Sequence, residues 1–224
     1  MRALLMRVAR REHIFVVIVP HTVTDWRSCS VFFREFTRIY AACASHRSPA
    51  LPPLAIQVRD VADAQRCTDH SAPLRYWRRR FQGLSVASRC PLTQGEATPT
   101  DGAPTMHEMK SSPRSLASAM LEFSRRHSAS PALLSVACVA AFLHLRSKEQ
   151  HVVVGLVHAN RSNPGTRDLI GCFADCVPLL VDCSGAPSLG ELVRRVSVTL
   201  AEAEAHGAPW ALVRDLLDDP AHLA

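Results

Sequence analysis

Two apolar, β-branched runs open the chain, at residues 3–8 and 14–19, with Arg10, Arg11 and Glu12 between them as a polar turn. This pattern predicts a β-hairpin or two neighbouring strands, the second buried. A polar loop follows at 20–25. From Ser28 the pattern changes period: Val31, Phe32, Phe36, Ile39 and Tyr40 fall on one face of a helix over 28–44. After a Pro- and Ser-rich loop at 45–53, helical material is expected over 60–81, with Leu74, Trp77 and Phe81 on one face.

Residues 83–104 carry turn residues and little periodicity, which predicts a linker. The expected division is into 1–105 and 106–224. The second part alternates helix and strand: helices at 115–127, 131–145, 188–206 and 210–217, and buried strands at 152–157 and 177–181. Pro131 stands near the start of its helix, where a missing N–H does little harm. Ser188 and Glu191 have the spacing of a capping box. Strands separated by helices predict an α/β fold.

Composition narrows the function classes. Of the 224 residues 47% are hydrophobic, enough for a sizeable core and too many for a disordered chain. The net charge is +6. Apart from Arg78, Arg79 and Arg80 the arginines are scattered, with no aromatic residues interleaved, so nucleic acid is not an expected partner. The eight cysteines sit mostly in apolar runs and lack zinc-ligand spacing, so no metal site is expected and a reducing cytoplasm fits best. No apolar stretch has the length of a membrane span, and the run after Arg11 lacks the features of a signal peptide. A start inside a strand-like segment and a stop at Ala224 suggest a fragment.

Candidate chemistry lies in Val19-Pro-His-Thr-Val-Thr-Asp-Trp26. A histidine follows a strand at the mouth of a loop, and Asp25 precedes a helix. Imidazole titrates near neutral pH and suits proton transfer. An aspartate so placed caps the helix or holds an arginine. The spacing alone is a weak signal.

The segment resembles the HHxxxDG motif of condensation domains from nonribosomal peptide synthesis. His21 matches the second, catalytic histidine and Asp25 the aspartate. Further resemblances follow in the family's order. Residues 28–36 resemble the helix after the motif, and 51–57 the stretch before YxDYAxWQR, of which Asp60, Ala62, Gln65 and Arg66 remain. Residues 75–81 resemble YWRERL, 153–161 the strand with its Asn-Arg element, 169–179 IGFFVNTLPL, and 206–210 a shortened HQDxPFE. Pro20 stands in place of the first histidine and Trp26 in place of the glycine.

The resemblance implies a two-lobed chloramphenicol-acetyltransferase-like fold, incomplete here at both ends, with mixed β-sheets flanked by helices. It implies an acyltransferase that joins a carrier-bound acyl thioester to an amine. His21 would be catalytic. Asp25 would shape the site by a salt bridge, with Arg161 as its candidate partner. Trp26 and Asp175 would line the channel. No bound cofactor is implied, because substrates arrive on the phosphopantetheine of peptidyl or acyl carrier proteins. Neighbouring synthetase domains are the other expected partners, and no membrane is. Three alternatives stay open: a non-catalytic recruitment module, an inactive remnant, and an ester-forming acyltransferase of the same superfamily.

Overall fold

A computed structural model describes residues 1–84 and 113–218. The boundary expected near residue 105 lies outside the described residues, as does most of the expected linker. The chain groups into two compact units, but not by one break in sequence. Residues 1–69 and 157–175 form the first; 70–156 and 176–224 form the second.

The first unit opens with β1 (Arg2–Ala9) and β2 (Glu12–Ile18), an antiparallel hairpin. Its register runs from Arg2 opposite Ile18 to Ala9 opposite Glu12, leaving Arg10 and Arg11 as the connection. Every residue of β1 is exposed, and in β2 only Val16 and Val17 are half-buried. The expectation of a buried strand before His21 is therefore corrected. Apolar alternation shows that two faces differ, but not that either is covered.

Helix α1 (Trp26–Ala44) begins two residues earlier than its apolar face suggests, because Asp25 is its N-cap. Val31 is buried, whereas Phe36, Ile39 and Tyr40 stay exposed. Phe36 stacks on Phe15 of β2, with ring centroids 4.9 Å apart.

The helical material expected over 60–81 is two helices, α2 (Val58–Cys67) and α3 (Ser71–Phe81). Pro73 explains the break. Proline lacks the N–H that a continuous helix needs and is tolerated in a first turn, where it stands in α3.

The second unit holds α3, α4 (Arg114–Arg126), α5 (Pro131–Ser147), α6 (Leu189–Ala205), α7 (Trp210–Asp218) and most of the paired strands β3 (His151–His158) and β4 (Asp175–Asp182). Its core joins Trp77 and Phe81 of α3 to Leu134 and Ala140 of α5, Leu179 and Val181 of β4, and Val193 and Val196 of α6. Burial of each large apolar side chain contributes about 1.5–3 kcal/mol. The Trp77 indole N–H donates to the His206 carbonyl at 2.9 Å, and the His206 ring stacks on Tyr76.

Cap chemistry sets the helix starts here too. Ser130 and Ser188 accept from the N–H groups of Leu133 and Glu191. The Glu191 carboxylate pairs with Arg194 and Arg195. β3 differs from the buried strand expected: Val152 is buried but Val157 is 71% exposed. Among the described residues no single helix is long and apolar enough to cross a membrane.

Candidate active site

Pro20 ends the extended run and starts a single 3-10 turn, His21–Val23. The Val23 N–H donates to the Pro20 carbonyl at 3.2 Å, and the Thr24 N–H to the His21 carbonyl at 3.4 Å. This turn carries an exposed His21 and leads into Asp25 at the head of α1.

Asp25 is 4% exposed and makes four hydrogen bonds. Oδ1 accepts from the Ser28 N–H at 2.7 Å and Oδ2 from the Phe173 N–H at 3.0 Å. Arg161 Nη2 donates to both oxygens, at 3.0 and 3.1 Å. A buried carboxylate is tolerated only when its lone pairs are satisfied in this way.

Arg161 reaches Asp25 from the turn after β3. Asn160 adopts a left-handed conformation (φ 49°), which asparagine tolerates better than most residues. The Arg161 guanidinium is the hub of the site. Nη1 donates to the carbonyls of Thr166 and Leu169, and Nη2 also donates to Ser28 Oγ at 2.8 Å. Its face lies over the Phe173 ring, with Cζ 4.3 Å from the ring centroid. A planar fork makes all these contacts at once; a lysine ammonium lacks that geometry.

Ser28 closes the network from α1. Its hydroxyl donates to the Gly171 carbonyl at 2.7 Å and accepts from the Gly171 N–H at 3.0 Å. Gly171 has no room for a side chain: a Cβ would stand 2.9 Å from Phe173 Cε2 and from Val58 Cγ2. Residues 171–173 are thus held on both sides of Cys172.

Two opposing effects act on the Asp25 carboxyl. Burial pushes its pKa up, but hydrogen bonds from Ser28, Phe173 and Arg161 outweigh burial and bring it from 3.8 down to about 2. A lowered folded-state pKa contributes stability that is present above the unfolded value and lost as pH falls through the folded one. The advantage of the parent over Asp25→Asn is therefore expected to shrink by about 2 kcal/mol between pH 5 and pH 2. Urea unfolding of both proteins across that range measures it.

All five expected site residues lie in the first unit, and three of them stand together. Asp25 and Arg161 are bonded directly, and His21 lies four residues before Asp25. His21 Nδ1 is 3.8 Å from Cys172 Sγ. Trp26 is the first residue of α1 and 85% exposed. Asp175 opens β4 and is half-buried. Ser28, Gly171, Cys172 and Phe173 were not foreseen as site residues. A serine three positions after a helix-capping aspartate is a signal for the first; the others lie in the 169–179 segment, whose resemblance does not single them out. Among the described residues no group of three or more His, Cys, Asp or Glu side chains is placed to hold a metal ion.

Comparison with known proteins gives concordant results. The family model described as Condensation domain matches residues 1–222. Phosphinothricin tripeptide synthetase PhsC of Streptomyces viridochromogenes is 32% identical over 209 residues, which is 91% of this chain and 19% of that protein. The crystal structure of SgcC5 from Streptomyces globisporus matches with a TM-score of 0.74 and 26% identity, over 96% of this chain and 49% of that one. The first condensation domain of the calcium-dependent antibiotic synthetase matches with a TM-score of 0.77 and 23% identity, over 96% and 48% respectively, a likeness of fold. The chain thus spans about half the length of these solved structures.

Proposed function

The chain belongs to the condensation-domain family, and on that premise we propose that it acts in forming an amide between a carrier-bound acyl thioester and an amine. Its fold is the chloramphenicol-acetyltransferase-like α/β fold of its structural neighbours. The observation that carries the proposal is the placement of His21: an accessible imidazole on a one-turn helix, whose chain continues directly into the buried Asp25–Arg161 pair.

In this reading the acceptor amine attacks the donor thioester carbonyl. His21 orients the amine and takes its proton as the bond forms. The tetrahedral intermediate then expels the carrier's phosphopantetheine thiolate, which is protonated. Asp25 and Arg161 hold the turn and take no part in proton transfer. Trp26 and Asp175 would line the approach to the imidazole. Peptidyl or acyl carrier proteins supply both substrates in the cytoplasm, and neighbouring synthetase domains are the other partners.

The experiment mixes the protein with a donor carrier bearing an aminoacyl thioester and an acceptor carrier bearing another. The expected result is a dipeptidyl group on the acceptor, seen by mass spectrometry. A folded protein that yields no dipeptidyl carrier would overturn the proposal. Pro20 and Trp26, which replace the motif's first histidine and its glycine, favour a second reading as a non-catalytic recruitment module. That reading predicts carrier or domain binding without product.

A further inference from the structure

Cys172 stands beside His21, and the proposed reaction does not use it. Its Sγ lies 3.8 Å from His21 Nδ1, within hydrogen-bonding reach for sulfur. The thiol is exposed, while Gly171 and Phe173 on either side are buried. Those neighbours are pinned by Ser28 and Asp25. Asp25 caps α1 directly after the turn that carries His21. One buried network therefore fixes both arms of the pair and sets the distance between sulfur and nitrogen. In the resembling IGFFVNTLPL segment a phenylalanine stands where this chain has Cys172, so the pair is a feature of this chain rather than of the motif.

A thiol hydrogen-bonded to an imidazole is the constellation of an activated sulfur nucleophile. We propose that Cys172 and His21 form an acyl-acceptor pair, in which Cys172 takes an acyl group from a thioester. This inference rests on the reading of His21 as the group that meets the donor thioester. His21, in the tautomer with Nδ1 unprotonated, removes the thiol proton. The Cys172 sulfur attacks the thioester carbonyl, and the acyl carbon's bond to the donor's sulfur breaks. The leaving thiolate recovers the proton from His21. One thioester is exchanged for another, with no oxidant, reductant or energy source required.

The test uses the S-acetyl thioester of N-acetylcysteamine as the probe, with peptide-level mass spectrometry to locate acetyl groups. Cys29, Cys43, Cys67 and Cys138 are exposed thiols on helices and serve as internal references. The expected result is acetylation of Cys172 about tenfold faster than of these references. In His21→Ala and His21→Gln the Cys172 rate should fall to theirs, and in the parent unfolded in urea the advantage should vanish. Equal acetylation of all exposed thiols, or an unchanged Cys172 rate in both His21 variants, would overturn the inference. The carrier assay separates this outcome from failure of the proposed function. Dipeptide formation without Cys172 labelling removes only the acyl-acceptor pair; Cys172 labelling without dipeptide removes only the condensation reading.

Discussion

Arg161→Ala is expected to destabilise the first unit by about 3–5 kcal/mol, the effect of breaking a buried ion pair by removing one partner. The change strands Asp25, which is 4% exposed and would keep only its two backbone donors. It also frees the carbonyls of Thr166 and Leu169 and uncovers the face of Phe173. Arg161→Lys should recover only part of the loss, because an ammonium cannot meet both carboxylate oxygens and two carbonyls together. Amide exchange at Ser28 and Phe173, the two backbone donors to Asp25, reads the loss locally. Protection at both should collapse in Arg161→Ala, while amides in the α5–α6 core of the second unit keep theirs. If protection at both persisted, the pair would not be what holds the site.

His21→Ala is expected to lower dipeptide formation by about 100- to 10,000-fold, the range for removing a positioned proton-transfer group. The variant should leave stability nearly unchanged. His21 is exposed and its side chain lies outside the Asp25–Arg161 network, so its removal creates neither a cavity nor an unpaired buried charge. The two substitutions thus separate chemistry from scaffold. One removes a group on the surface of the turn; the other removes what holds the turn in place.

The hairpin, α1, α5 and α6 were legible because their signals are local: apolar period, a proline at the helix start, and serine or aspartate at the cap. The break between α2 and α3 was also written locally, in Pro73, but the apolar face of 74, 77 and 81 masked it. Burial was less legible. The runs at 14–19 and 152–157 have strand composition, yet β2 is mostly exposed and Val157 is uncovered. Composition does not state what lies over a strand. The site was legible in part. His21 and Asp25 lie in one short segment. Arg161 came into view through the resemblance of its Asn-Arg element, since no periodicity links positions 136 residues apart. Ser28 and Gly171, 143 residues apart, fall in segments that resemble the family, but the resemblance does not say that they bond to each other, and Cys172 gained its significance only from its distance to His21.

The most direct measurement places parent, His21→Ala and Arg161→Ala side by side in the carrier-loaded condensation assay, with urea unfolding of the same samples. The account predicts that His21→Ala unfolds with the parent but loses about 100-fold or more in rate, whereas Arg161→Ala loses both stability and rate. A His21→Ala protein that unfolds like the parent and condenses as fast as the parent would contradict it.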